Sequence, residues 1–249
     1  MIIHQESVET EKFARYEFKY LLNKRLSSLI EDEVEYFMRY DGHIHKELGN
    51  RYFVRSLYFD NYFSSNFYEK VDGVKNRRKF RLRTYSQVLD KNVPVYLEEK
   101  GRRNERTYKR RVGINYEHIQ YFTDRKYIRL LMSLYPNNRV VNDFVFDSIR
   151  KNIIPCVLVD YQRRPYINTY GTHFRLTFDQ NVKSVTSSQL FVKDKSWLEC
   201  RAGYTILEVK FDRSIPPWFH RIIQNYNLRR LSISKFVIGM ESCGIAYDI

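Results

Sequence analysis

The sequence predicts an α+β fold in which a mostly antiparallel β-sheet closes into a barrel and helices pack outside it. Three observations support this prediction. Several segments alternate apolar and charged residues with the two-residue period of a strand, and other segments repeat apolar residues at helical spacing. No Ser- or Gly-rich linker divides the 249 residues. We therefore expect a single domain over residues 1–249, with a core at about 13–241.

The strands are predicted from alternation and from the aromatic content. Aromatic residues make up 16% of the chain, which favours β-structure. The alternation is strongest in two segments that are joined by a loop around Asp90–Asn92. In chain order, strands are predicted at 13–20, 52–60, 77–85, 93–100, 105–113, 155–164, 172–179 and 204–212.

The helices are predicted from apolar spacing and from helix-breaking residues. Gly73 ends a short helix, Pro136–Asn138 separates two longer ones, and Pro216–Pro217 precede another, because proline suits a helix start. In chain order, helices are predicted at 23–40, 61–72, 116–134, 139–151 and about 218–226. Residues 230–241 are interpreted as strand or loop leading into a short helix.

The charged faces of the strands are rich in cations. In the strand at 77–85, residues Arg77, Lys79, Arg81 and Arg83 share one face, and the opposite face is apolar. A solvent-facing sheet surface also alternates in this way. However, three or four cations in a row repel one another, and an ordinary wet face would mix the signs of its charges. We therefore predict that these faces line a barrel interior, where an anion neutralises them.

The Glu-x-Lys pattern occurs in three predicted strands. It places a carboxylate and an ammonium on the same strand face at Glu17/Lys19, Glu98/Lys100 and Glu208/Lys210.

The overall charge indicates a polyanionic partner. Lys and Arg number 43 against 29 Asp and Glu, a formal net charge of +14. Nucleic acid, an acidic membrane or a phosphate-rich small molecule would each satisfy this surplus. Nucleic acid is disfavoured, because the strand aromatics fall mainly on the packed face rather than on exposed stacking positions. A further basic run is interpreted as an outer patch or a solvated strand rim, and comprises Arg102, Arg103, Arg106 and Lys109–Arg111.

The location is predicted from what the sequence lacks. No apolar run approaches 18 residues and the N-terminus has no signal pattern, so we expect no membrane span and a cytoplasmic location. The three cysteines, Cys156, Cys200 and Cys243, fit neither a zinc site nor a disulfide framework.

An ordered set of segments resembles a known family. The segments are RYEFKY at 15–20, VRSLYFD at 54–60, KFRLRTY at 79–85, YLEEKG at 96–101, PCVLVDYQR at 155–163, RLTFD at 175–179, ILEVK at 206–210 and SISKF at 232–236. Together they resemble the VTC domain, the polyphosphate polymerase branch of the CYTH-like triphosphate tunnel metalloenzymes. The hydrolase and cyclase branches begin with Glu-x-Glu-x-Lys, whereas Arg15 stands in the first Glu place here. In having Arg at this position, the chain resembles the polymerase branch.

The resemblance implies a metal-dependent enzyme that transfers the γ-phosphate of ATP to a growing polyphosphate chain. The implied cofactor is Mn²⁺ or Mg²⁺, and the implied partners are ATP and polyphosphate. Glu208 and Glu98 would hold the metal, with Glu17 as a helper. The residues implied to act in catalysis are Lys19, Arg81, Arg83, Lys100 and Lys235. Those implied to bind substrate are Lys79, Arg163, Arg175, Lys210, Ser234 and Tyr58.

Two alternatives to the polymerase stay open at this point. One is a tunnel hydrolase that cleaves triphosphate, polyphosphate or an RNA 5′ end. The other is a non-catalytic domain that binds polyphosphate, inositol phosphates or nucleic acid. Reaction products would separate polymerase from hydrolase, and binding without metal-dependent turnover would indicate the third class.

Overall fold

A curved antiparallel sheet forms the body of the protein. The computed structural model describes residues 16–41, 44–104, 106–168, 174–193 and 195–248, without the side chain of Arg106. The ten strands in these residues are β1 (Tyr16–Asn23), β2 (Met38–Tyr40), β3 (Tyr52–Asp60), β4 (Asn76–Thr84), β5 (Val95–Arg103), β6 (Arg106–Ile114), β7 (Ile154–Asn168), β8 (Phe174–Thr186), β9 (Leu198–Glu199) and β10 (Tyr204–Phe211).

Every named pair of neighbouring strands is antiparallel. The strand order is β1-β10-β8-β7-β3-β4-β5-β6, while β2 pairs with β7 and β9 with β8. The antiparallel, helix-covered sheet that the sequence predicted is therefore confirmed. Closure into a barrel is not: β1 and β6 end the strand order, and no pairing joins them within the described residues.

The outer edge of β1 is covered by a later segment of the chain. The backbone N–H of Leu231 donates to the carbonyl oxygen of Lys19 at 2.8 Å. The Lys19 ammonium in turn donates to the carbonyl oxygen of Ile233 at 3.0 Å. Residues 231–233 thus satisfy polar groups at an edge that β6 leaves unpaired.

Seven α-helices lie in the described residues. They are α1 (Lys24–Glu35), α2 (Ser65–Val71), α3 (Ile119–Thr123), α4 (Leu131–Leu134), α5 (Arg139–Arg150), α6 (Pro217–Asn225) and α7 (Lys235–Ser242). Short 3₁₀ turns lie at Lys46–Leu48, Tyr116–His118 and Arg125–Leu130.

Two apolar layers cover the convex side of the sheet. One packs α3, α4 and α5 against the outward residues of β3, β4 and β5, such as Leu57, Phe80 and Leu97. The other packs α1 and α6 against outward residues of β8 and β10, such as Phe178 and Val209. These residues alternate with the charged ones, as the two-residue period requires.

Helix α7 lies on the concave side instead, which corrects the prediction that the helices pack outside. Phe236 and Met240 of α7 form a third apolar cluster with Val157 and Val159 of β7. A Cβ atom added at Gly239 would lie 2.8 Å from Cγ2 of Val159, so the helix approaches the strand too closely for a side chain there. Helix α7 therefore fills part of the space that the curved sheet encloses.

Two predicted helices differ from the structure. The helix predicted at 23–40 ends at Glu35, and residues 38–40 form β2, because Met38 pairs with Asn168 near the end of the long strand β7. The helix predicted at 116–134 is broken into two short α-helices and two 3₁₀ turns. Asp124 begins the second turn by accepting a hydrogen bond from the backbone N–H of Lys126. Within the described residues, no helix is long and apolar enough to cross a membrane.

Candidate active site

The concave side of the sheet and the start of α7 enclose a cavity of about 550 Å³. Such a volume suits a small ligand. Eleven Lys and Arg side chains line it, against three Glu. Because the alternation of the strands turns charged residues to this side, the cavity holds a large surplus of positive charge.

All thirteen residues that the sequence singled out for the site line this cavity. They come from seven strands and from the segment that starts α7, although they are spread over more than 200 positions of the chain. They are Lys19, Tyr58, Lys79, Arg81, Arg83, Glu98, Lys100, Arg163, Arg175, Glu208, Lys210, Ser234 and Lys235.

The first charge cluster surrounds Glu208 of β10. Its carboxylate lies 2.9 Å from the Lys235 ammonium, 3.1 Å from the Arg163 guanidinium and 3.4 Å from each of the ammonium groups of Lys19 and Lys210. Burial alone would raise the pKa of Glu208, yet Lys235, Lys19 and Lys210 hold it well below its usual value. Glu208 is therefore ionised at neutral pH.

Asp179 of β8 binds two of the cations in this cluster. Its side chain is fully buried and accepts two hydrogen bonds from Arg163, at 2.6 and 2.7 Å. Its other contact is with the Lys235 ammonium at 2.5 Å. Asp179 thus fixes the two cations that also contact Glu208.

The second charge cluster surrounds Glu98 of β5. Arg81 donates two hydrogen bonds to one carboxylate oxygen, at 2.6 and 2.8 Å, and the Lys109 ammonium lies 2.6 Å from the other. Burial would raise the pKa of Glu98, but Arg81, Arg83 and Lys109 hold it well below its usual value. Burial and Arg81 lower the pKa of Lys109 to about 7, although Glu98 acts in the opposite direction.

Hydroxyl groups hold the two arginines of β4. The Arg81 guanidinium donates to the Tyr58 hydroxyl at 3.0 Å, and Arg83 donates to the hydroxyls of Ser56 and Tyr161 at 3.1 Å. Burial would raise the pKa of Tyr58, yet Arg81 and Arg83 lower it below its usual value. Because the guanidinium groups are held in place, they are preorganised for phosphate oxygens.

The side chain of Lys79 of β4 reaches the start of α7, and its charged neighbours are mostly cations. Its ammonium donates to the Ser234 hydroxyl at 3.4 Å and lies 4.8 Å from the centre of the Phe236 ring. Burial, followed by Lys100 and Arg81, lowers the pKa of Lys79 well below its usual value. An anionic ligand in the cavity would reverse this effect and favour the charged ammonium.

Several lining residues were missed by the sequence analysis. Lys109 and Arg111 of β6 face the cavity, whereas the intervening Arg110 contacts Glu99 and Asp143 on the opposite side. The interpretation of 109–111 as one outer patch or rim is therefore corrected. The two-residue alternation within that strand could have revealed this. The sequence analysis also missed Tyr161, which is identified as a site residue by the hydrogen bond that it accepts from Arg83.

A hard metal ion fits these residues only as part of a metal–phosphate complex. The described residues contain no group of three or more His, Cys, Asp or Glu side chains that could hold a metal. Glu208 and Glu17 both lie within 3.4 Å of the Lys19 ammonium, so their charge is already balanced by the protein. Mg²⁺ is characteristically bound by one or two carboxylates together with substrate phosphates, and Glu208 with Glu17 or Glu98 can supply those carboxylates.

Arg15, which the sequence analysis compared with the first Glu of the related branches, lies outside the described residues.

The family of the chain follows from its match to a family model. The model of the VTC domain matches residues 14–243, which is nearly the whole chain. The chain belongs to the VTC domain family. No protein of curated function matches its sequence significantly.

Two solved structures are similar in fold to this VTC domain. A candidate adenylate cyclase from Bacillus halodurans is similar over 89% of this chain and 94% of its own, with 12% identity and a TM-score of 0.52. A candidate adenylyl cyclase from Hippeastrum, HpAC1, described as having a dominant triphosphatase activity, is similar over 93% of this chain and 96% of its own. Its identity is 13% and its TM-score 0.52. At this identity the likeness concerns the fold alone.

Proposed function

We propose that this VTC domain is a polyphosphate polymerase that transfers the γ-phosphate of ATP to the end of a polyphosphate chain. In this proposal residues 1–249 act as one tunnel domain with a core at about 13–241. The observation that carries it is the cavity itself, where eleven cations and three carboxylates surround a space for a phosphate chain. The cytoplasmic location stays a prediction from the sequence.

The proposed reaction needs positioning and charge neutralisation rather than a protein nucleophile. A terminal oxygen of the polyphosphate forms a bond to the γ-phosphorus of ATP, while the bond from that phosphorus to the β–γ bridging oxygen breaks and ADP leaves. Arg81 and Arg83 would bind phosphate oxygens through their guanidinium groups. Lys19, Lys100 and Lys235 would neutralise charge on the transferred group.

The remaining cavity residues would position the substrate. The side chains of Lys79 and Ser234 contact each other at the start of α7, and Lys210 contacts Glu208. Arg163 also donates to Glu208, and the Tyr58 hydroxyl accepts from Arg81, so these two residues hold Glu208 and Arg81 in place. Arg175 lies at the mouth, where its guanidinium contacts Asp41 at 2.8 Å and its side chain is 41% exposed. It would therefore contact the outermost phosphate.

A bound Mn²⁺ or Mg²⁺ would be held by Glu208, with Glu98 or Glu17 as further carboxylates and phosphate oxygens as the other ligands. Such an ion would supply positive charge that stabilises the phosphate oxygens during transfer. Binding it would require Lys19 or Lys210 to move its ammonium from Glu208 to a phosphate oxygen.

A triphosphatase is the second candidate function. It is favoured by the fold shared with HpAC1, whose description includes triphosphatase activity. The same cations would bind triphosphate in both cases, and the attacking group would be water instead of a phosphate chain.

Product analysis tests the proposal. Purified protein would be incubated with ATP and Mn²⁺, and the products separated on a polyphosphate gel. We expect chains of increasing length, and we expect Lys100→Ala to slow their formation while Lys75→Ala, which removes an exposed charge, does not. Free phosphate without longer chains would indicate the triphosphatase, and an absence of turnover would leave a binding domain.

A further inference from the structure

A second cavity lies on the convex side of the sheet, between the two apolar layers. Along the convex face of β7, Leu158 belongs to the first layer and Tyr166 to the second. The residues between them on that face are Asp160, Gln162 and Arg164, and all three line a cavity of about 790 Å³. We call it the convex cavity, because it lies on the opposite side of the sheet from the active-site cavity.

The convex cavity is much less cationic than the active-site cavity. Its described lining residues include five Lys or Arg against three Asp or Glu, whereas the active-site cavity has eleven against three. Among the described residues, Tyr161 alone lines both cavities. Four amide side chains, which both donate and accept hydrogen bonds, also line the convex cavity: Gln87, Gln162, Gln180 and Asn181. This lining suits a ligand of low negative charge that carries several hydrogen-bonding groups.

Two guanidinium groups at this cavity have one carboxylate between them. Arg164 donates to the Glu31 carboxylate of α1 and, at 3.0 and 3.1 Å, to the carbonyl oxygen of Gly49. Arg51 donates to the carbonyl oxygen of Leu48 at 3.3 Å. Burial lowers the pKa of Arg51 and the neighbouring Arg164 lowers it further, although Glu31 acts in the opposite direction. The two arginines therefore keep an excess of positive charge that an anion would neutralise.

Three buried polar atoms at this cavity have no hydrogen-bond partner in the protein. They are Oγ of Ser27, Oε1 of Glu31 and Nε of Arg51. Ser27 and Glu31 are 2% and 6% exposed and lie one turn apart on α1. Buried polar atoms without a partner are uncommon in native proteins. The three atoms comprise a hydroxyl, an acceptor and a donor, so a ligand with an anionic oxygen and a hydroxyl group would satisfy all of them.

We propose that the convex cavity binds a small phosphate ester with free hydroxyl groups, which is the chemistry of a nucleotide or a sugar phosphate. Arg51 Nε and the Ser27 hydroxyl would donate to a phosphate oxygen, with the exposed Lys24 as a further cation. A ligand hydroxyl would donate to Glu31 Oε1, and amides such as Gln162 would pair with the other hydroxyls. Because the three unpartnered atoms are shielded from solvent in the ligand-free protein, their side chains would rotate as the ligand binds.

Binding measurements with variants of both cavities test the inference. AMP, glucose 6-phosphate and triphosphate would each be titrated into the full chain, its Arg51→Gln variant and its Arg81→Ala/Arg83→Ala variant. We expect Arg51→Gln to weaken the binding of AMP or glucose 6-phosphate about tenfold to a hundredfold, as the loss of a charge-assisted hydrogen bond implies. Its affinity for triphosphate should stay within about threefold of the parent. The Arg81→Ala/Arg83→Ala variant should show the reverse pattern, and Arg129→Gln, which removes an exposed charge elsewhere, should change neither affinity.

The two esters distinguish the sources of the ligand. Tighter binding of AMP would identify a nucleotide, and tighter binding of glucose 6-phosphate a sugar phosphate. Binding of neither at millimolar concentration would overturn the inference. So would inorganic phosphate that binds as tightly as either ester, because the hydroxyl groups would then contribute nothing. Loss of ester binding in the Arg81→Ala/Arg83→Ala variant, with binding intact in Arg51→Gln, would place the ester in the active-site cavity and overturn the inference as well.

Thermal melting would first establish that Arg51→Gln is folded. If it is not, Lys24→Ala provides the same comparison, because Lys24 lines the convex cavity at an exposed position of α1. Conversion of ATP to polyphosphate is a separate measurement. The convex cavity is therefore tested independently of the polymerase.

Discussion

At the scale of single residues, the site depends on two buried carboxylates that are each surrounded by cations. Glu208 has four cationic neighbours within 3.4 Å, and Glu98 has Arg81 and Lys109 at 2.6 Å. Each carboxylate therefore has a structural role as a counter-ion before any substrate binds. A metal would have to compete with these cations for it.

The Glu208→Gln substitution tests both roles of this carboxylate. It keeps the shape but removes the charge that neutralises Lys235, Lys19, Lys210 and Arg163. We expect the free energy of unfolding at pH 7 to fall by ~3 kcal/mol, as when one partner of a buried ion pair is lost. Metal-dependent turnover should fall steeply at temperatures where the variant is folded.

Chemical unfolding and a metal titration of the rate would measure these two effects. The Glu199→Gln variant, which changes an exposed carboxylate of β9, serves as the control. Unchanged turnover at saturating Mn²⁺ would contradict the metal role while leaving the structural one intact.

The Arg81→Ala/Arg83→Ala variant tests the phosphate contacts. We expect it to lose ~3 kcal/mol of triphosphate binding, because two guanidinium contacts disappear. The ligand-free variant should also be less stable, since Glu98 loses Arg81 and keeps mainly Lys109.

Calorimetric titration with triphosphate and thermal melting would measure both effects. A Lys75→Ala/Arg129→Ala variant removes two exposed charges as the control. If the Arg81/Arg83 variant binds triphosphate as tightly as the parent, these arginines do not contact the ligand.

At the scale of elements, helix α7 decides how much of the concave space stays open. Its apolar residues pack on β7 and its first residue, Lys235, lies in the cavity. The close approach at Gly239 therefore places Lys235 near Glu208 and Asp179. A change in the packing of this helix should displace a cation of the site that lies four residues away.

The Gly239→Val substitution tests this arrangement. A side chain there would overlap Val159. We expect a loss of about 1–3 kcal/mol in the free energy of unfolding, as for overpacked cores. We also expect weaker triphosphate binding, because Lys235 moves. The Ala202→Val variant, which enlarges an exposed side chain in a turn, serves as the control. Normal binding by a destabilised Gly239→Val protein would show that α7 does not position Lys235.

At the scale of the whole molecule, a large excess of positive charge lines one cavity on the concave side of the sheet. The formal net charge is +14, and many of the cations face the concave side. Repulsion among these cations therefore lowers the stability of the ligand-free protein, and a bound polyanion would reduce that repulsion. Anion binding should accordingly change the stability of the entire fold.

Triphosphate should stabilise the protein against heat. At a concentration 100 times its dissociation constant, a ligand of the native state contributes ~2.7 kcal/mol. For a chain of this length that corresponds to a rise of roughly 5–10 °C in Tm. The rise should decrease with added salt, but less than for a surface site, because buried charges are screened less. Thermal melting at several salt concentrations measures this, and no shift at millimolar triphosphate would argue against an anion cavity.

Acid should weaken the protein through its buried carboxylates. The pKa of Glu98 lies well below its usual value in the folded state. Its contribution to stability is therefore present above the unfolded-state pKa of about 4.3 and is lost as the pH falls through the lower folded-state pKa. We expect the difference in Tm between the parent and Glu98→Gln to be largest near pH 7 and to shrink below about pH 4. A difference that is independent of pH would contradict the ion-pair role.

The alternation of residues along the strands predicted which side chains face the cavity and which face the apolar layers. The two-residue period fixes the side of a strand on which each residue lies, so Arg81, Glu98 and Glu208 could be assigned to one charged surface before the structure was known. Their types also limited the ligand to an anion. The VTC resemblance, carried by ordered short segments, is confirmed by the match over residues 14–243.

The pairing of the strands and the position of α7 became known from the three-dimensional structure. Strand periodicity gives the face of a residue but not the distant strand that pairs with its own, so the position of β1 and β6 at the two ends of the strand order could not be read from the sequence. The same holds for α7, whose apolar residues would suit either side of the sheet. Its place inside follows from Gly239, since only a residue without a side chain lets the helix contact Val159 there.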